Sequence, residues 1–99
     1  MSGDAGRTEA IAAAVAETAL ACPGVAALSG GPYGTAATYL PGGRVEGVVV
    51  RQEEVEVHIV AAFGPPLPEL AEGVRVRVHR LAPGRSVTVV IVDLAGGPA

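Results

Sequence analysis

Several groups of residues in this 99-residue chain are of types that could do chemistry, and their spacing decides what that chemistry would be. The glycine-rich stretch "GGPYG" (residues 30–34) would have to follow a strand and open a helix to cradle a phosphate, yet the segment after it is extended. It reads as a turn. The carboxylates Glu53, Glu54 and Glu56 cluster around an expected hairpin, where Glu54 and Glu56 share a strand face. A hydrolytic acid and base would need a cleft and two different environments, so these read as a solvated face. His58 and His79 belong to different elements and have no Cys or Asp at ligand spacing. Ser29, Ser86 and Cys22 lack a nucleophile elbow or another activating context. The expectation is a chain with no catalytic, metal-binding or cofactor-binding residue and no cofactor. What remains is a basic concentration at Arg75, Arg77, Arg80 and Arg85, with His79 among them. It reads as a solvated helix face or, alternatively, as a contact for an acidic partner or a polyanion such as nucleic acid, since guanidinium forks bind carboxylate and phosphate.

Composition narrows the class of partner. All seven basic residues are Arg, and ten acidic residues bring the formal net charge to −3. A general nucleic-acid binder would show a basic footprint, so nucleic acid is disfavoured. The single cysteine makes no internal disulfide and, beside helix-ending Pro23, reads as a small buried side chain. No targeting segment is visible, and the longest apolar run, Ile11 to Cys22, is too short to cross a bilayer. The expected location is cytoplasmic, without direct membrane insertion. Because 49% of residues are hydrophobic but only two Tyr and one Phe are aromatic, the core must be thin and built from Val, Ala, Leu and Ile.

The elements that would position these residues follow from periodicity. "TEAIAAAVAETALACPG" predicts a helix over 9–21, with Thr8 as N-cap, Glu9 in the first turn, and Pro23-Gly24 ending it. "GVAALS" is a short strand and "TAATYL" an irregular or edge strand. "VEGVVVRQ" and "EVEVHIVAAF" form a hairpin turning around Gln52-Glu53-Glu54, with Val55, Val57 and Ile59 inward and Glu54, Glu56 and His58 outward. In "PELAEGVRVRVHRL" a helical spacing competes with the strand-like "VRVRV". The proline-rich start and the Pro83-Gly84 stop favour a helix over 68–81. "SVTVVIVDL" is apolar on both faces, as expected of an interior strand. The fold class is therefore α+β: a two-layer sandwich of order α-β-β-β-α-β, with two helices on one face of a sheet of three to four strands. Residues 8–94 form one domain, 1–7 and 95–99 are disordered ends, and Val57, Ile59, Val89 and Ile91 should be deeply buried.

As a whole, the order of a helix ending in "ETALACPGVAALSGG" followed by "VEGVVVRQEEVEVHIVAAFGPPLPELAEGVRVRVHRLAPGRSVTVVIVDL" resembles the alkaline-shock-protein family of Gram-positive bacteria, proteins of the cell-envelope stress response. The shared pattern is "PGV" after the first helix, a valine-rich strand, the strand-to-helix passage through "FG-P-PELA", and a final "V-V-I-D" strand, covering about Ile11 to Leu94. It consists of apolar residues and glycines that mark a fold. The resemblance implies a small non-enzymatic scaffold or protein-interaction domain without a cofactor. Such a domain would associate with itself or dock on a membrane-anchored protein partner, reaching the membrane only through it. The chain departs from many relatives in lacking a short strand before the first helix and in having no long tail.

Overall fold

The computed structural model describes residues 3–96, with side chains described from residue 6 onward. Among the described residues, two helices and six strands make an α+β fold in the order α1 (Gly3–Ala21), β1 (Val25–Leu28), β2 (Ala37–Leu40), β3 (Gly43–Glu46), β4 (Val48–Val50), β5 (Glu54–Ala62), α2 (Leu67–His79) and β6 (Ser86–Ala95).

Helix α1 begins at Gly3, well before the expected residue 9, so Thr8 lies inside the helix, half-buried, and does not cap it. Residues 3–8 contain no proline, and although Gly3 and Gly6 are poor helix formers, the helix extends past the serviceable cap signal at Thr8-Glu9. The expected disordered start is therefore helical over 3–7. The first two residues and 97–99 of the expected tail lie outside the described residues, while Ala95 still belongs to β6. Ala12, Val15 and Ala19 are the buried stripe of α1, and Cys22, just past its end, continues it at helical spacing. Pro23 ends the helix, and Gly24 then turns the chain at φ 90°. A Cβ on Gly24 would stand 2.6 Å from Leu70 Cδ1, so glycine is also what lets α2 close over this turn.

In α2, Leu70, Val74 and Val78 are buried at four-residue spacing, while Val76 is exposed. The helical period prevails over the alternation of "VRVRV", because only one side of the segment meets the core.

Strand β5 is the axis of a four-stranded sheet. One of its flanks is paired along its whole length with β6, in parallel, from Glu54↔Ser86 to Ala62↔Ala95. The other flank is shared end to end by two antiparallel strands, β4 over Val55–Val57 and β1 over Ile59–Ala61. Val55, Val57, Ile59 and Ala61 face the helices and are fully buried, and Glu54, Glu56 and His58 face the other way, as the alternation requires. Both helices join this one apolar cluster, α1 over β1 and β4 and α2 over β6.

Two expectations about strands are corrected. Val89 and Ile91 pack on the cluster from outside and remain half-buried, because among the described residues β6 is an edge strand with β5 on one side only. The expected continuous strand "VEGVVVRQ" is broken at Gly47. Residues 43–46 pair with β2 in a separate two-stranded sheet, and Val48–Val50 pair with β5. Gly47 turns between them at φ 84°, accepting a bond from His58 N and donating one to Ala36 O, both 2.7 Å. A Cβ there would lie 3.0 Å from His58 O, Leu28 Cβ and Ser29 N, so the pivot needs glycine. The small sheet is tied to β4 by the buried Thr38, whose hydroxyl donates to Val48 O (2.7 Å) and accepts from Val50 N (3.2 Å).

Candidate functional site

Most of the residues with chemical potential are engaged in local structure. Cys22 is 4% exposed and its thiol donates to Thr18 O at 3.3 Å. The Ser29 hydroxyl accepts from Gly31 N and shapes the turn of "GGPYG", while the Ser86 hydroxyl donates to Glu53 O at the start of β6. His79 is exposed on α2, far in sequence and separate in element from His58 on β5. The structure does gather one polar group. On the sheet face away from the helices, Arg51 bonds to Glu54 (3.5 Å) and Glu56, and Glu56 Oε1 lies 3.1 Å from His58 Nε2. The Thr88 hydroxyl on β6 donates to Glu54 at 2.8 Å. The hydrogen bond with His58, helped by Arg51 and opposed by partial burial, holds the Glu56 carboxyl below the ordinary 4.5. This row of side chains clips β5 to its neighbours.

The expected arginine patch is divided. Arg75 and Arg77 lie about 200° apart around α2, and Arg75 and Arg80 about 140°, so they do not form one face. Arg75 is engaged with Glu72 through Nε at 2.8 Å and Nη2 at 2.5 Å, which holds the exposed Glu72 carboxyl below its usual range. Arg80 caps the end of α2, and Arg77 is exposed in its last turn. Arg85 leaves the group altogether: its Nε donates to Arg51 O at 2.9 Å, across the sheet's end.

The surface that stands out is the free edge of β6. Ser86 N donates to Glu53 O, and Phe63 N donates to Ala95 O. In a parallel ladder a residue turns both backbone groups to the same side and its neighbours turn theirs to the other. Ser86 and its alternates therefore bond β5, and Val87, Val89 and Ile91 present their N–H and C=O to the open side. From Ser86 to Ile91 this edge carries no charge, no proline and no bulge, which are the usual means of blunting an edge; a register shift comes only after Ile91. At its far end, Ala62, Phe63, Gly64, Pro65, Leu67 and Leu94 line an apolar hollow of about 270 Å³, in which Phe63 (51%) and Leu94 (44%) are exposed.

The sequence held a signal for this edge: an uncharged β-branched run. The same run also fits an interior strand, and only the strand order separates the two readings. Among the described residues, no helix is long and apolar enough to cross a membrane. No protein-family model, curated protein or solved structure matches the chain.

Proposed function

We propose that this chain is a non-enzymatic protein-interaction domain, a small scaffold that receives an extended segment of a protein partner along the β6 edge. The observation that supports this most is the unblunted backbone of Val87, Val89 and Ile91, which offers main-chain hydrogen bonds to an added strand. The hollow at Phe63 and Leu94 supplies the second element of strand addition, a side-chain pocket beside the main-chain ladder. The setting of the role is the one the resemblance suggests, cell-envelope stress in the cytoplasm. The partner is then a membrane-anchored protein or a second copy of the chain.

The test uses Val87→Pro. Proline on an edge strand removes an N–H that faces outward and leaves the β5 ladder intact. Partner capture from the native cell, with and without envelope stress, should recover one protein whose association is lost in Val87→Pro and retained in Thr88→Ser. Light scattering on the purified chain separates self-association from capture of a different protein. Capture that is unchanged by Val87→Pro, in a variant shown by circular dichroism to be folded, would overturn strand addition at β6.

A further inference from the structure

We propose that the cleft where Arg7, Arg51 and Arg85 meet is a binding site for a small organic phosphate monoester. Three stretches of chain build it: Arg7 and Thr8 on α1, Val50, Arg51 and Gln52 at the end of β4 and its turn, and Arg85 in the loop before β6. Three of the seven cationic side chains of an acidic protein thus line one cavity of about 450 Å³. No pair of them is close in sequence. Their convergence comes from the fold, which lays the first turns of α1 against the hairpin turn and brings the α2–β6 loop to the same corner.

The guanidinium groups are not equivalent. Arg51 directs Nη1 to Glu54 and Glu56, so its charge is largely balanced within the protein. Arg85 donates only Nε, to Arg51 O at 2.9 Å, and it is half-buried. That bond fixes the guanidinium plane, while among the described residues no acceptor engages its two terminal amino groups. A fork held this way loses little rotamer freedom on binding. Arg7, on α1, adds a second cation to the lining of the same cavity. Two cations beyond the balanced Arg51 match a phosphate monoester, which carries about −1.5 to −2 at neutral pH and offers three acceptor oxygens. A monocarboxylate would satisfy only one of them.

The organic part follows from size and lining. A cavity of about 450 Å³ falls within the range of small-molecule sites, roughly 300–1,000 Å³, and exceeds what a bare phosphate fills. Val50 supplies an apolar wall, and Thr8 and Gln52 supply neutral hydrogen-bonding groups, the mix that orients a sugar or a similar polyol.

The experiment is calorimetric titration of the whole chain with ribose 5-phosphate, adenosine 5′-monophosphate, inorganic phosphate and citrate, at low and moderate salt. One of the monoesters should bind at least about tenfold more tightly than inorganic phosphate or citrate, and Arg7→Gln and Arg85→Gln should each weaken it by about tenfold or more. Arg85→Lys should weaken it as well, because an ammonium cannot reproduce the fork. Among the described residues Arg7 makes no side-chain hydrogen bond or ion pair and is exposed, so Arg7→Gln keeps the test clear of misfolding if Arg85→Gln loosens the loop. The inference is overturned if neither monoester saturates below about 10 mM, if citrate binds as tightly as the monoesters, or if the folded Arg7→Gln variant binds as the parent does. Val87→Pro should leave the titration unchanged, so the cleft and the β6 edge stand or fall separately.

Discussion

Strands β5 and β6 are neighbours made of nearly the same material, runs of Val and Ile paired in parallel and in continuous register up to Ile59↔Ile91, yet they occupy opposite positions in the energetics of the fold. β5 is bonded on both flanks, so its Val55, Val57, Ile59 and Ala61 have no exposed surface. Among the described residues β6 is bonded on one flank only, and the residues opposite them, Val87, Val89 and Ile91, stay half-buried beneath α2. The difference teaches that β-branched composition marks a strand without saying which strand is central. That depends on how many partners the chain order can bring alongside.

This comparison can be broken most severely with proline. Val57→Pro should prevent folding, since β5 is flanked by strands on both sides and proline at its centre removes a ladder bond and a buried valine together. Val87→Pro should melt cooperatively within several degrees of the parent. Equal damage at the two positions, measured by thermal denaturation, would mean that β6 is not an edge.

Truncation sharpens the same contrast. Ile59→Ala should destabilise by about 2–5 kcal/mol, as expected for a fully buried isoleucine that leaves a cavity. Ile91→Ala, its cross-strand neighbour, should cost about half as much or less, because its site already opens to solvent. Urea unfolding reads both.

A smaller effect is expected at the junction of the two sheets. Thr38→Val keeps the shape but removes the hydroxyl that serves Val48 O and Val50 N, leaving one donor and one acceptor of β4 unpaired. The loss should be about 1–3 kcal/mol. Hydrogen exchange should show it first at Val50, with the β5–β6 ladder unchanged.

The smallest effect is electrostatic and lies on the open face of β5. Because the Glu56 carboxyl titrates below its ordinary 4.5 in the folded chain, the folded state binds fewer protons than the unfolded state in that window. Its contribution is therefore complete above about pH 4.5 and is lost as pH falls through the folded value. With the Glu56 and His58 side chains 24% and 16% exposed and Arg51 more than half exposed, the contribution should be about 1 kcal/mol or less. Glu56→Gln should flatten the acid side of the stability profile by that amount and leave the neutral side little changed. A profile that keeps its full acid slope would show that Glu56 is not the group responsible.

Legibility in the sequence followed the range of the interactions. The burial phase of β5 was readable from alternation alone, and α2 from Leu70, Val74 and Val78, because each depends on a period within one segment. The end of α1 at Pro23-Gly24 was readable for the same reason, whereas its start was misplaced, since the cap signal at Thr8-Glu9 is also compatible with helix interior. The break at Gly47 looked like one more glycine in a strand. Its meaning comes from His58, Leu28 and Ser29 packed around it, none of which is a sequence neighbour.

The candidate sites lie further along the same scale. The arginines grouped by sequence, Arg75, Arg77, Arg80 and Arg85, are dispersed by the 100° step of a helix and by a loop that carries Arg85 elsewhere. The arginines grouped by the fold, Arg7, Arg51 and Arg85, are more than thirty residues from one another, and nothing local announces them. The sequence by itself determined the α+β class, the inward face of β5, the helical phase of α2 and the aliphatic character of the core, because period and side-chain chemistry act within a segment. Tertiary structure alone decided that β6 has a free edge, that Gly47 separates two sheets, and that three distant arginines line one cleft. Strand order and convergence are set by which segments compete for the same flank and the same corner, and that competition is settled only when the whole chain is packed.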